Sequence, residues 1–364
     1  MKRLDALLED GVTRRVFGAA RAAVVHRGRA VYSGGTVPDA AVFDLASVTK
    51  VLCTTALCCR LFAAGKLRPD ACVGDFLPGA GAAHATLADL LFHRSGLPPF
   101  LCAFADAMNA NPALFDDAPH AQLRADVRHE VLRAHLAAKP TQPVGAGAVY
   151  SDIGFVLLGA VLERVGGAGL DELFRVHVTA PLGLTAGFRR VSAQLPLDRL
   201  ILPTGATRPR EHAPGQEALW RAPFHPGRPG EVDDDNAWCM DGVAGHAGLF
   251  GTASDVARYG QAVLDGWLPP PTPWGPDART PGSTRALGFD TPGADAPSCG
   301  PRFGNVPPGA IGHLGFTGTS LWVDLGRQLV VALLTNRTIY GRANQQHRDF
   351  RPRFHEAVLD ALGV

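Results

Sequence analysis

The chain has 364 residues, 46% of them hydrophobic and 19% charged, enough for one large two-layer domain with an insertion or for two domains. Its 35 basic and 34 acidic residues leave a formal charge of +1, which excludes the basic footprint of a nucleic-acid binder. Seven cysteines without paired C-x-x-C spacing read as small core residues of a reducing compartment, not as a zinc site or a disulfide framework.

Met1 to Asp10 carries acidic groups where an export signal needs an apolar core, and no apolar run reaches the ~20 residues of a membrane helix. The expectation is a cytoplasmic protein with no membrane partner. Residues 4–15 have the spacing of an amphipathic helix, and 22–26 and 29–32 read as two strands joined at Arg27-Gly28. Residues 51–64 contain no Gly or Pro and are mostly apolar, which predicts a buried helix with Ser47 at or just inside its N-terminus. Ser47 and Lys50 then share one helical turn and face the same way. An amine so placed can help take a hydroxyl's proton while helix-end N–H groups favour developing negative charge. The same S-x-x-K spacing also fits a capping serine followed by a lysine that only solvates the first turn.

From about residue 70 to 250 the pattern changes to short helical pieces between Pro/Gly-rich joints, with longer helices at 124–138, 154–165 and 170–178. Residues 201–235 form a Pro/Gly-rich loop of a length that reads as a site wall. Thr252 opens a helix to 264, and 269–308 is again Pro/Gly-rich and carries no legible pattern. Strands follow at 319–324 and 329–335, and an amphipathic helix at 353–362. Strands and flanking helices therefore come from the two ends of the chain and helices from its middle.

Two further polar clusters stand out. Tyr150 and Asp152 precede a strongly apolar helix. A tyrosine acts as a base only if nearby positive charge lowers its pKa, which Lys50 can do; the competing reading has Asp152 capping the helix and Tyr150 packing. His313, Gly315 and Phe316 sit at the entrance to the 319–324 strand. Glycines there serve tight turns or a close approach of backbone to ligand, and an exposed strand edge can offer an N–H to an oxyanion. Both alternatives stay open. Asp233-Asp234-Asp235-Asn236 is too tightly spaced on an extended segment to converge on one ion, so no metal is expected.

Taken in order, Phe43-Asp44-Leu45-Ala46-Ser47-Val48-Thr49-Lys50, Tyr150-x-Asp152 and His313-x-Gly315 resemble the three motifs of the serine beta-lactamase and penicillin-recognising superfamily. His93-Arg94-Ser95-Gly96-Leu97-Pro98, Gly245-His246-Ala247-Gly248-Leu249-Phe250 and Leu334-Thr335-Asn336-Arg337 are similar to phrases of its class C beta-lactamase, D-alanyl-D-alanine carboxypeptidase and carboxylesterase branch. The resemblance runs over residues 10–362. It implies a beta-lactamase/transpeptidase-like fold, α/β plus an all-helical region, with a central antiparallel sheet flanked by helices. An α/β domain from residues 1–70 and 251–364 would pack on a mostly helical domain from 71–250, with the active site in the cleft between them.

The resemblance further implies that Ser47 is the acylated nucleophile, Lys50 its proton-network partner, and Tyr150 the base for attack and acid for the leaving group. The N–H groups of Ser47 and Phe316 would form the oxyanion hole, with Asp152 and His313 completing the catalytic set. Leu314, Gly315, Trp238, His246 and Arg337 are the pocket candidates; by residue type Trp220, Trp238 and Phe316 either line an acyl pocket or pack in the core, and His246 between glycines also fits a structural hydrogen-bonding histidine. No cofactor is expected.

Two departures bear on substrate. Asp152 stands where the family has Asn, and an ionised carboxylate only accepts hydrogen bonds. His313-Leu314-Gly315 stands for Lys-Thr-Gly, replacing a cation by a group often neutral at pH 7 and removing a hydroxyl. Both point to small esters or lactones. The alternatives are a D-alanyl-D-alanine carboxypeptidase-like or weak beta-lactamase activity, and a non-catalytic ligand-binding protein of the same fold. The partner is a small-molecule ester, lactone or amide, and the oligomeric state is left open.

Overall fold

The computed structural model describes residues 1–116, 118, 120–193, 200–205, 207–208, 225–226, 228–280, 282–295 and 297–364. In chain order, helix α1 (Lys2–Thr13) leads into strands β1 (Ala20–His26) and β2 (Arg29–Gly35), then the short β3 (Phe43–Asp44). A 3₁₀ turn over Ala46–Val48 and a π turn over Lys50–Thr55 precede helix α2 (Ala56–Ala63). The helical middle comprises α3 (Val73–Phe76), α4 (Leu87–Leu91), α5 (Ala103–Ala110), α6 (Ala121–Ala137), α7 (Asp152–Gly166), α8 (Leu170–Phe174) and α9 (Ala180–Leu182). Short strands β4 (Gly187–Phe188), β5 (Thr207–Arg208) and β6 (His225–Pro226), helix α10 (Asp235–Cys239) and strand β7 (Leu249–Gly251) return the chain to helix α11 (Ala253–Leu264). The last part supplies β8 (Arg285–Ala286), β9 (Phe289–Asp290), β10 (Ala310–Leu314), β11 (Ser320–Asp324), β12 (Leu329–Thr335) and α12 (His347–Leu362).

Seven strands form one antiparallel sheet in the order β2-β1-β12-β11-β10-β9-β8, so both ends of the chain meet where β1 pairs with β12. All seven residues of β12 are buried, because both faces of the sheet are covered. Their period of two divides them cleanly. Leu329, Val331 and Leu333 pack with α1 and α12, whereas Val330, Ala332 and Leu334 join the larger core that includes α2, α7 and α11. A third apolar cluster, centred on Met108, Val131 and Trp238, holds the helical middle together. The seven cysteines are free, and five of them are buried, as small core residues would be.

Three differences from the sequence expectations have local causes. His313 lies in a strand of its own, β10, one strand before the two that read clearly. A hairpin, β8–β9, sits inside the stretch 269–308 and turns over Leu287 and Gly288, both with positive φ. The last helix starts at His347, not near 353, and carries Pro352 in its interior. A proline lacks one backbone donor, which disfavours a helix interior, but burial of Phe350 and Phe354 at 4% and 0% exposure compensates. Trp220 and most of the 201–235 loop lie outside the described residues.

α12 also contains His355, which is fully buried, donates from Nδ1 to the Arg351 carbonyl at 2.9 Å and has its pKa pushed down to about 4 by burial. A histidine lowered in the folded state gives stability that is complete above its unfolded value near 6.5 and is lost as pH falls towards 4. Denaturant unfolding at pH 7 and pH 5 is expected to show this loss, and His355→Leu to reduce it.

Candidate active site

The Ser47 turn is built by its neighbours. β3 pairs with β7, and Asp44 at its end accepts the Ala46 N–H at 2.8 Å and the Asp233 N–H at 2.6 Å. Burial pushes the Asp44 carboxyl up to about 7, against the pull of those N–H groups. Ala46 is thereby held at φ 47°, a conformation that strains a residue with a Cβ. The 3₁₀ turn through Ser47 and the π turn after it take the place of the plain helical start that the sequence suggests. π turns recur at functional positions because the extra residue re-aims the side chains around it.

Lys50 is completely buried. Its Nζ lies 3.1 Å from Ser47 Oγ, 3.1 Å from the His246 carbonyl and 2.7 Å from Asp152 Oδ1. Burial alone would strip its proton, but Asp152 and the Tyr150 oxygen outweigh it and hold the amine charged above its usual range.

Tyr150 and Asp152 are delivered by the start of α7. Ser151, not Asp152, is the N-cap: its Oγ donates to the Pro98 carbonyl at 2.7 Å and accepts from Gly154, while its N–H donates to His93 Nδ1 at 3.0 Å. With capping done by Ser151, the Asp152 carboxylate is left for Lys50. Tyr150 lies beside Lys50, whose Nζ is 4.9 Å from the centre of its ring, and both Lys50 and Ser47 pull the pKa of its phenol down. Its pKa is nevertheless raised, because burial and the Asp152 charge exceed the help from Lys50. Lys50 does pull the phenol towards ionisation, as expected, but burial first, and the Asp152 charge after it, outweigh that pull.

The third element closes the site. At the end of β10, Gly315 donates to Thr319 at 2.7 Å, while Thr317 Oγ1 and Thr319 Oγ1 donate to the carbonyls of Asp44 and Leu45 at 2.7 and 3.0 Å. A Cβ at Gly315 would sit 2.6 Å from the Leu45 carbonyl oxygen, so the strand end approaches the Ser47 turn at a distance only glycine allows. His313 is 2% exposed and donates from Nδ1 to the Leu314 carbonyl at 2.8 Å, which leaves Nε2 as a lone-pair acceptor. Burial and the charges of Lys50 and Arg285 keep this ring neutral, far below its ordinary value.

A cleft of about 560 Å³ opens over these groups, lined by Ser47, Tyr150, His313, Leu314, Gly315 and Phe316 on one side. Phe316 is 44% exposed, and Arg337 reaches the wall behind it, donating from Nε to its carbonyl at 2.7 Å. Two expected pocket residues lie elsewhere. Trp238 has no exposed surface and stacks on Phe115 at 5.6 Å with Arg124 over its ring, so it belongs to the helical core. His246 is 1% exposed with Nε2 2.9 Å from Asp234; its backbone carbonyl, not its ring, serves the site by holding Lys50.

Three residues not among the site candidates also enter the site. His93, in a left-handed conformation at the end of α4, packs its ring 4.7 Å from Tyr150 and is kept neutral by burial and by Arg285 and Lys50. Arg285 and Asp290, across the β8–β9 hairpin, form an ion pair whose guanidinium lies 5.0 Å from the centre of the Tyr150 ring. Lys50 Nζ lies 4.9 Å from the same centre, so two ion pairs flank one neutral phenol. The Gly288 turn between Arg285 and Asp290 was the available signal for the hairpin.

Residues 4–352 match the Beta-lactamase family. The chain belongs to that family of serine hydrolases. A putative D-alanyl-D-alanine carboxypeptidase of Escherichia coli (strain K12) is 29% identical over 326 residues, covering 81% of this chain and 69% of the relative. Among solved structures the fold is similar to that of EstCE1, a hydrolase with promiscuous acyltransferase activity, with a TM-score of 0.65, 21% identity and coverage of 96% and 98% of the two chains. It is similar also to the D-amino acid amidase of Ochrobactrum anthropi SV3, with a TM-score of 0.66, 20% identity and coverage of 99% of each chain.

Proposed function

We propose that the protein hydrolyses small esters or lactones through an acyl-enzyme at Ser47. The observation that carries this reading is the convergence of Ser47 Oγ, the buried Lys50–Asp152 pair and the Tyr150 phenol at one end of an open cleft.

The geometry supports a specific proton route. Lys50 passes a proton across 2.7 Å to Asp152, and the neutral amine takes the Ser47 proton across 3.1 Å as Oγ attacks the carbonyl carbon. The N–H groups of Ser47 and Phe316 receive the carbonyl oxygen as it gains charge. Tyr150, a phenol in the resting site, protonates the departing alkoxide and is reprotonated from Lys50, which recovers its own proton from Asp152. Water then attacks the acyl-enzyme by the same route in reverse order, giving the acid and free Ser47. Asp152 replaces Tyr150 here as the terminal proton acceptor for the attack.

The ester reading is supported by the groups around this centre. Asp152 accepts hydrogen bonds and cannot donate one to an amide side chain, His313 is neutral, and Leu314 carries no hydroxyl. A second reading, hydrolysis of a peptide or other amide, is favoured by the name of the Escherichia coli relative. The two separate on turnover of p-nitrophenyl acetate against D-alanyl-D-alanine peptides and penicillin. Ester turnover that depends on Ser47, with no peptide or penicillin product, is the expected result; faster peptide release would replace the first reading by the second.

A further inference from the structure

The ring of Tyr150 is enclosed by side chains from several elements. His93 packs 4.7 Å and His313 5.9 Å from its centre, ring to ring. Lys50 Nζ and the Arg285 guanidinium stand over it at 4.9 and 5.0 Å. His93 is tied to the segment it packs on, since its carbonyl accepts the Val149 N–H at 2.8 Å and its Nδ1 accepts the Ser151 N–H at 3.0 Å. Arg285 comes from much farther along the chain and is braced by Asp290 across the β8–β9 hairpin, with 22% and 19% of the two side chains exposed. The hairpin is itself fastened to the frame of the site. Gly288 at its turn donates to the Leu91 carbonyl at 2.7 Å and faces Thr55 of the π turn at a distance that leaves no room for a Cβ. The Arg285 carbonyl accepts the Asp277 N–H at 3.1 Å, and the Asp277 carboxylate pairs with Arg94, next to His93.

An ion pair largely withdrawn from water adds little to stability, and an apolar side chain would fill the same space over the ring without the desolvation cost. A guanidinium there has a different effect: it is attracted to the negative face of the ring and limits how the ring moves. We infer that Arg285 is a positioning residue for Tyr150: braced by Asp290, it fixes the phenol at the angle from which the hydroxyl protonates the leaving alkoxide. The inference rests on the hydrolase reading and assigns a role within it. Arg285 acts through the ring, while attack by Ser47 is served by Lys50 and Asp152. Its contribution is therefore greatest where a proton must reach the leaving group, because a donor displaced by about 1 Å costs about 10²-fold. An ethoxide leaves only with that proton, whereas a p-nitrophenolate is stable enough to leave without it.

The test compares kcat/KM for ethyl acetate and for p-nitrophenyl acetate in the wild type, Arg285→Met, Arg285→Lys and Asp290→Asn, with far-ultraviolet circular dichroism confirming that each variant is folded. Arg285→Met is expected to lose about 10²-fold with ethyl acetate and roughly tenfold less than that with p-nitrophenyl acetate. Arg285→Lys keeps a cation for Asp290 and the ring, and is expected to restore most of the ratio between the two esters. Asp290→Asn is expected to shift that ratio in the same direction as Arg285→Met. In a Tyr150→Phe background, which has no phenol proton to give, Arg285→Met is expected to leave the ratio unchanged. Equal losses with both esters, or the same shift with and without the Tyr150 hydroxyl, overturn the inference. Near-ultraviolet circular dichroism reads the ring without turnover: the tyrosine signal that Tyr150→Phe removes is expected to shrink in folded Arg285→Met and to return in Arg285→Lys. An unchanged signal in Arg285→Met overturns the inference whether or not the wild type turns over either ester. A signal lost in Arg285→Met, in a protein whose wild type hydrolyses neither ester, overturns the hydrolase reading and supports the hold of Arg285 on the ring.

Discussion

A Lys50→Met enzyme is expected to lose about 10²–10⁴-fold in kcat/KM for a short-chain ester, the range that a positioned proton-transfer group contributes. Lys50 is completely buried, and its Nζ lies 3.1 Å from Ser47 Oγ and 2.7 Å from the Asp152 carboxylate. Methionine keeps most of the side-chain volume, so the core around α2 and α7 is left filled. Asp152 loses its cation but remains a fifth exposed, and water can solvate it. The fold is therefore expected to survive. Kinetics with p-nitrophenyl acetate, alongside circular dichroism and thermal melting, separate lost chemistry from lost structure. Turnover within tenfold of wild type would remove Lys50 from the proton route.

Asp152→Ala is expected to act on stability as well as on rate. It leaves the Lys50 ammonium buried among the His246 carbonyl, the Ser47 hydroxyl and the Tyr150 phenol without its carboxylate, and breaking a buried pair in this way costs about 3–5 kcal/mol. In the variant, burial has no opposing carboxylate, so the folded-state pKa of Lys50 falls below its unfolded value near 10.4. A base lowered in this way destabilises the fold most below its folded pKa. The stability deficit is then expected to shrink as pH rises from the folded pKa towards 10.4. Asp152→Asn keeps an oxygen for Lys50 and is expected to lose less stability, while removing the proton acceptor from the route. Denaturant unfolding of both variants at pH 7 and pH 9 checks the sign. A deficit in Asp152→Ala that does not shrink with pH would mean that the Lys50–Asp152 contact is not a charged pair in the folded protein.

Much of this centre was legible before any coordinates. Ser47 and Lys50 are close in sequence, and a helical turn fixes their relation whatever the tertiary structure does. Tyr150 and Asp152 precede an apolar helix whose start had to place them near its end. The division of labour between Ser151 and Asp152 was not legible, because either residue type caps a helix well. It was settled by Pro98 and His93, which engage Ser151 from more than fifty residues away.

The strands β1, β2, β11 and β12 were readable from alternation and a tight turn. β8 and β9 are two residues each, too short to show a period, and they carry Arg285 and Asp290 to the site. A proline reads locally as a helix break, so periodicity alone starts the last helix after Pro352, whereas burial of Phe350 carries it back to His347. Trp238 was placed at the cleft on residue type, yet aromatic residues are at home in cores, and Phe115 and Arg124 enclose it there. The direction of the Tyr150 shift depends on burial, which no motif states.

The most direct measurement is the intact mass of the full chain after treatment with a fluorophosphonate, for the wild type and for Ser47→Ala. A serine activated by Lys50 and Asp152 is expected to add one phosphonyl group per chain, and folded Ser47→Ala none. An unlabelled but folded wild type, or a Ser47→Ala protein labelled to the same extent, would contradict an acyl-enzyme at Ser47.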